Sequence, residues 1–151
     1  MSKVLYTYER NIPTVAIMRN AAEKNNEHQG QFRFKQITQV TQADIDWCDI
    51  LEMIRPSDPY SVFLARAAGC FVISSYDDDL YCPPASRPTP RWRIRSVKRA
   101  LENSNLLSTC SPHIREKYRD FTADKRAYAS DSIVNPNEIK MIPELTEATD
   151  N

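Results

Sequence analysis

The chain has 151 residues, 41% hydrophobic and 26% charged, a globular composition with enough apolar material for one core. Lysine plus arginine equals aspartate plus glutamate at 20 each, which argues against a dedicated nucleic-acid binder. No apolar run reaches membrane-spanning length, and the start, MSKVLYTYERN, lacks a signal peptide's apolar stretch and cleavage site, so a cytoplasmic location is expected.

In chain order, Val4 to Tyr8 is a short β-prone run. A helical period follows, with Pro13 in its first turn and Val15, Met18 and Ala22 on one stripe. QFRFKQITQV alternates Phe32, Phe34 and then Ile37, a second strand. Thr41 caps a short helix through Trp47. Asp49 to Arg55 is a third strand. Asp58 as N-cap, Pro59 as first helical residue and Gly69 as stop bound the next helix, whose Tyr60, Phe63, Leu64 and Ala67 share a face. CFVIS reads as a strand covered on both faces. After an acidic tripeptide and a proline-rich loop, a helix from about Ile94 carries Val97 and Leu101 inward. LLSTC is a fifth strand, and Ser111-Pro112 opens a helix with Ile114, Tyr118 and Phe121 inward. RAYASDSIV holds a last strand, and the polar tail runs from Asn135.

This alternation predicts an α/β fold, a Rossmann-like open parallel sheet with helices on both faces, over residues 1–134. Such sheets present ligand groups at the carboxyl ends of their strands. Asp77, Asp78 and Asp79 stand there, after the apolar fourth strand. Adjacent carboxylates repel, so they need a cation or donors, or else a raised pKa. Their functional reading is proton transfer, or the holding of a sugar hydroxyl or a metal; the bland one is a solvated, turn-capping loop. Arg55 follows the third strand and points to the same edge. Thr109 and Ser111 end the fifth strand, where a helix cap is an equal explanation for Ser111.

Six basic residues fall in the thirteen from Arg87 to Arg99, around Trp92. Arg87, Arg91 and Arg93 are placed to neutralise the aspartates or meet a phosphate. Arg95, Lys98 and Arg99 form a solvated helix face, and the whole run is also open to peripheral membrane contact. Cys48, Cys70, Cys82 and Cys110 show no C-x-x-C pair and read as buried free thiols. With two glycines in the chain, neither a G-x-G-x-x-G turn nor a Walker loop can form. His28 and His113 carry no catalytic motif.

CDILEMIRPSDPYSVFLARAAGCFVISSYDDDLYCPP resembles the amino-terminal half of group 1 glycosyltransferases of the GT-B architecture, in which a strand ending in Arg leads through a helix to a strand closing on a D-D-D-L turn. IRSVKRALENSNLLSTCSPHIREKY is similar to the segment that follows, and IVNPNEIK resembles the V-x-P-N-x-I-D segment before the second domain. The likeness spans about Asp49 to Ile139. It departs where Ser75 replaces a frequent acidic residue, where Lys140 replaces the final Asp, and where YERNIPT replaces a glycine-rich turn.

The resemblance implies an acceptor-side domain of an enzyme that moves a sugar from a nucleotide-sugar donor to a carbohydrate or other acceptor hydroxyl, with retention at the anomeric carbon. Asp77 and Asp78 are then the catalytic pair; Asp79, Arg55, Arg91, Thr109 and Ser111 line the cleft. It implies no cofactor beyond the nucleotide-sugar co-substrate and no metal, although Asp77 to Asp79 contains a D-x-D. It further implies that residues 135–151 lead toward a missing carboxy-terminal donor-binding domain, and that the amino-terminal domain alone is inactive. The alternative is a non-catalytic Rossmann-like binding or scaffolding module paired with a separate catalytic chain. A receiver-like domain fits less well, since Glu9 is solitary and no Lys follows the fifth strand.

Overall fold

In the computed structural model, residues 2–24, 30–81 and 88–129 are described. Arg87, Cys82 and the tail from Asn135 lie outside them. Six parallel strands form one sheet in the order β2-β1-β3-β4-β5-β6: β1 Ser2–Tyr8, β2 Gly30–Gln36, β3 Ile50–Ile54, β4 Phe71–Ser75, β5 Leu106–Thr109 and β6 Arg126–Ala129. The helices are α1 Pro13–Lys24, α2 Gln42–Trp47, α3 Pro59–Ala67, α4 Arg91–Glu102 and α5 Pro112–Tyr118. The fold is thus α/β and Rossmann-like. The order of connection reverses across β1 and β3, where Val4 pairs with Ile50 and Tyr8 with Ile54. That switch point is where open sheets of this type hold ligands.

The two sheet faces differ. Leu5, Leu51, Met53 and Val72 point one way and join Ile45, Val62, Leu64, Ala65 and Ala100 in a core under α2, α3 and α4. Toward β6, Leu107 joins Tyr76, Val97, Leu101, Ile114 and Tyr118 in a second cluster. Burial of each large aliphatic side chain stabilises by roughly 2 kcal/mol, so these clusters supply much of the driving force. On the opposite face lies α1, whose Arg19 guanidinium sits 5.3 Å over the Phe34 ring, itself stacked on Tyr6.

That second face is only partly covered. Phe71 is 38% exposed and Ile73 and Leu106 are half-buried, which corrects the reading of β4 as covered on both sides. Ile37 is buried in a short 3-10 turn after β2, not on the strand. In α1 the buried residues are Val15 and Ala16, so the inward stripe is rotated from the Val15–Met18–Ala22 line. In α3 the rotation matters more: Ser61, Val62, Leu64 and Ala65 face inward, while Tyr60 and Phe63 face solvent. Gly69 has no positive φ and an added Cβ there would meet nothing, so α3 ends at Ala67 with Ala68 as its C-cap and needs no glycine. α4 begins three residues before Ile94, with Pro90 as its N-cap.

Candidate functional site at the carboxyl edge

The carboxyl ends of β1, β3 and β4 bring Glu9, Arg55 and Asp77 to one edge. Arg55 is the first residue after β3 and takes the left-handed conformation, φ 51°. Its N–H donates to the Ser75 carbonyl at 2.8 Å, so the turn is anchored to β4. The turn carries the guanidinium toward the tripeptide. Arg55 Nε lies 3.5 Å from Asp77 Oδ1, and an Arg55 terminal nitrogen lies 2.6 Å from Asp78 Oδ2. Thr14, in the first turn of α1, donates its hydroxyl to Asp77 Oδ2 at 2.8 Å. The cation that two adjacent carboxylates require is therefore Arg55.

The two aspartates differ in setting. The Asp78 side chain is 60% exposed. Asp77 is 34% exposed as a side chain, yet its Oδ1 is buried and accepts no hydrogen bond among the described residues. Asp79 turns away: it accepts from Lys117 Nζ at 2.6 Å and from the Tyr118 hydroxyl at 2.5 Å. Asp79 therefore fastens the tripeptide to α5. Tyr118 in turn accepts from the Tyr81 N–H at 2.7 Å, closing the turn from its other end.

Glu9 occupies the switch point. Its carboxylate accepts from the Ser57 N–H at 2.5 Å, the Asp58 N–H at 2.6 Å, the Ser57 hydroxyl at 2.8 Å and the Ser61 hydroxyl at 2.9 Å. These are donors at the start of α3, where a helix favours negative charge. In many nucleotide-binding sheets such an end receives a phosphate; here the protein's own carboxylate fills it. Arg93 Nε donates to the Ser57 hydroxyl at 3.0 Å and ties α4 to the same loop. The buried Tyr76 hydroxyl donates to the Pro56 carbonyl, and burial, then the Glu9 charge, holds its pKa well above the usual tyrosine value.

The remaining expected residues serve other ends. Arg91 is exposed at the start of α4 and makes no ion pair with the aspartates. Thr109 is buried, and its Oγ1 accepts from the Ser111 N–H at 3.0 Å. Ser111 is the N-cap of α5, accepting from the Ile114 N–H at 3.3 Å. Glu9 and Thr14 were not singled out as site residues from sequence. Their local sequences carry no motif, and only the pairing of β1 with β3 and the path of α1 bring them here.

Among the described residues no three His, Cys, Asp or Glu side chains converge as a metal site, and no helix is long and apolar enough to cross a membrane. Cys48 and Cys70 are free thiols with sulfurs 3.5 Å apart; burial and then the Cys70 contact push the Cys48 thiol up to about 12, while Cys110, expected to be buried, is exposed just past the end of β5. The edge thus offers a carboxylate pair braced by one guanidinium, a carboxylate oxygen that accepts no hydrogen bond among the described residues and an occupied helix terminus. Comparison with models of known protein families finds none that matches the chain, and comparison with curated proteins finds no match either.

Proposed function

We propose that the carboxyl edge is the acceptor side of a sugar-transfer site in a retaining GT-B glycosyltransferase that uses a nucleotide-sugar donor. The observation that carries this reading is Asp77 Oδ1, a buried acceptor with no hydrogen bond beside the exposed carboxylate of Asp78. Oδ1 is held by charge rather than by a hydrogen bond, with Arg55 Nε 3.5 Å away, so it keeps accepting capacity while the exposed Asp78 carboxylate beside it stands open to an arriving hydroxyl donor. Neighbouring carboxylates suit a polyol, whose hydroxyls donate in adjacent pairs. In transfer, the attacking hydroxyl must shed its proton, and positive charge grows on the sugar carbon; fixed negative charge favours both.

Two further observations support the acceptor role over donor binding. Glu9 fills the α3 terminus that would otherwise take a phosphate. Arg55 is already engaged by two carboxylates, so it is not a free anion clamp. The second reading, a binding module without chemistry, rests on that same Arg55 pairing, which leaves the carboxylates compensated and suited to hold rather than to abstract.

The test is sugar transfer and donor hydrolysis by the full-length gene product, with Asp77→Asn and Asp78→Asn alongside. Under the enzyme reading Asp77→Asn lowers turnover by about 10²-fold or more, the usual scale for a positioned proton-transfer group, and Asp78→Asn mainly raises the KM for acceptor. Unchanged turnover in both variants removes the carboxylates from the reaction. Glycan binding that depends on Asp77 without any transfer selects the binding module.

A further inference from the structure

We propose that the outer face shared by α3 and α4 is a docking surface for a bilayer carrying anionic phospholipids. A cavity of about 290 Å³ lies between the two helices, lined in part by Val62, Phe63, Trp92, Arg66, Arg95 and Arg99. None of its lining residues is acidic. Among the described residues Arg66, Arg95 and Arg99 form no ion pair, whereas Lys98 on the same helix is 3.7 Å from Glu102. In a chain with equal numbers of acidic and basic residues, three uncompensated guanidiniums around one groove are a local asymmetry. They fit a partner rich in phosphate charge.

The aromatic side chains choose among such partners. Tyr60 is 55% exposed, Phe63 66% and Trp92 49%. Tyr60 and Phe63 lie in the first two turns of α3 and Trp92 in the first turn of α4, so the aromatic tier is at one end of the face and the arginine tier follows it. Trp, Tyr and Arg together make up the interfacial belt of membrane-contacting proteins. Arginine stems lie along apolar surface while their heads reach phosphate. Protruding aromatics suit a fluid that receives them anywhere; a folded protein partner would need matching sockets. The inference does not depend on the sugar-transfer reading, because none of these side chains touches the aspartate pair.

The experiment is sedimentation of the full chain with phosphatidylcholine vesicles, with and without phosphatidylglycerol, at low and high salt. Binding is expected only with phosphatidylglycerol, with Trp92 emission shifted to the blue and quenched by brominated acyl chains. Each arginine near the surface adds about fivefold in affinity, so replacing Arg66, Arg95 and Arg99 together by Gln weakens binding on the order of 100-fold. Trp92→Phe abolishes the quenching and keeps the salt-dependent binding. No binding to either vesicle, equal binding to both, or a triple variant that binds like the parent overturns the proposal. So does retention by an immobilised polyglutamate peptide without vesicle binding, which would assign the face to an acidic protein.

Discussion

Arg55 carries two burdens at once: a left-handed backbone and a bridge to two carboxylates. A side chain in that conformation costs about 1 kcal/mol relative to glycine. Arg55→Ala and Arg55→Gly remove the same guanidinium, so they differ only in backbone. Urea unfolding is expected to find the glycine variant about 1 kcal/mol more stable than the alanine variant. Equal stabilities would mean the turn relaxes when the side chain is lost.

Glu52, on the half-covered sheet face, offers a second residue-scale expectation. Burial pushes its carboxyl up, and the hydrogen bond from Ser75 at 2.6 Å pulls it only part of the way back. Its neighbour Tyr6 is raised to about 12 by burial and then by the Glu52 charge. For a carboxyl with a raised folded pKa, the unfolded chain ionises first as pH climbs. Stability tied to Glu52 is therefore full below the ordinary carboxylate pKa and falls until the folded pKa is passed. Glu52→Gln should flatten that limb. Urea titrations along that limb are expected to show the variant gaining on the parent as pH rises above the ordinary carboxylate range. Asp44 contributes in the opposite sense. Burial raises it, but hydrogen bonds from Lys35 and Thr41 and the Lys35 charge outweigh that and hold it well below the carboxylate range, so its contribution is full above the ordinary carboxylate pKa and drains away progressively as pH falls below it.

At the scale of elements, the caps explain how much was legible. Thr41, Asp58 with Pro59, and Ser111 with Pro112 each announce a helix start; Asp58 and Ser111 accept the expected cap bonds, whereas at α2 the Asp44 carboxylate accepts from the Thr41 N–H and hydroxyl. The strands were legible from β-prone apolar runs, and the Asp77–Asp79 edge from its place after β4. What sequence could not supply was the rotation of α3, because Tyr60, Phe63 and Leu64 satisfy one helical stripe as well as Val62, Leu64 and Ala65 satisfy another. Nor could it supply the partners of Glu9, Arg55 and Thr14, whose contacts cross from one strand or helix to another. Glu9 tests this long-range logic. Glu9→Ala leaves the Ser57 and Asp58 N–H groups without their acceptor, which should cost about 2 kcal/mol. Hydrogen exchange at residues 57–61 is expected to accelerate while β5 amides change only with global stability. Uniform acceleration throughout would instead make Glu9 part of the global core.

For the whole molecule, the sheet order assigns the first strand a central position. β1 is flanked by β2 on one side and β3 on the other, with Val4 matched to Phe32 and to Ile50. Synthesis runs from the amino terminus, and domains complete as their last partners emerge. Ser2–Tyr8 therefore leaves the ribosome with both hydrogen-bonding edges vacant, and one of them stays so until Ile54 has cleared the exit tunnel. A nascent chain of this protein is thus exposed to intermolecular strand capture for the interval in which the residues that will shelter β1 have not yet been polymerised.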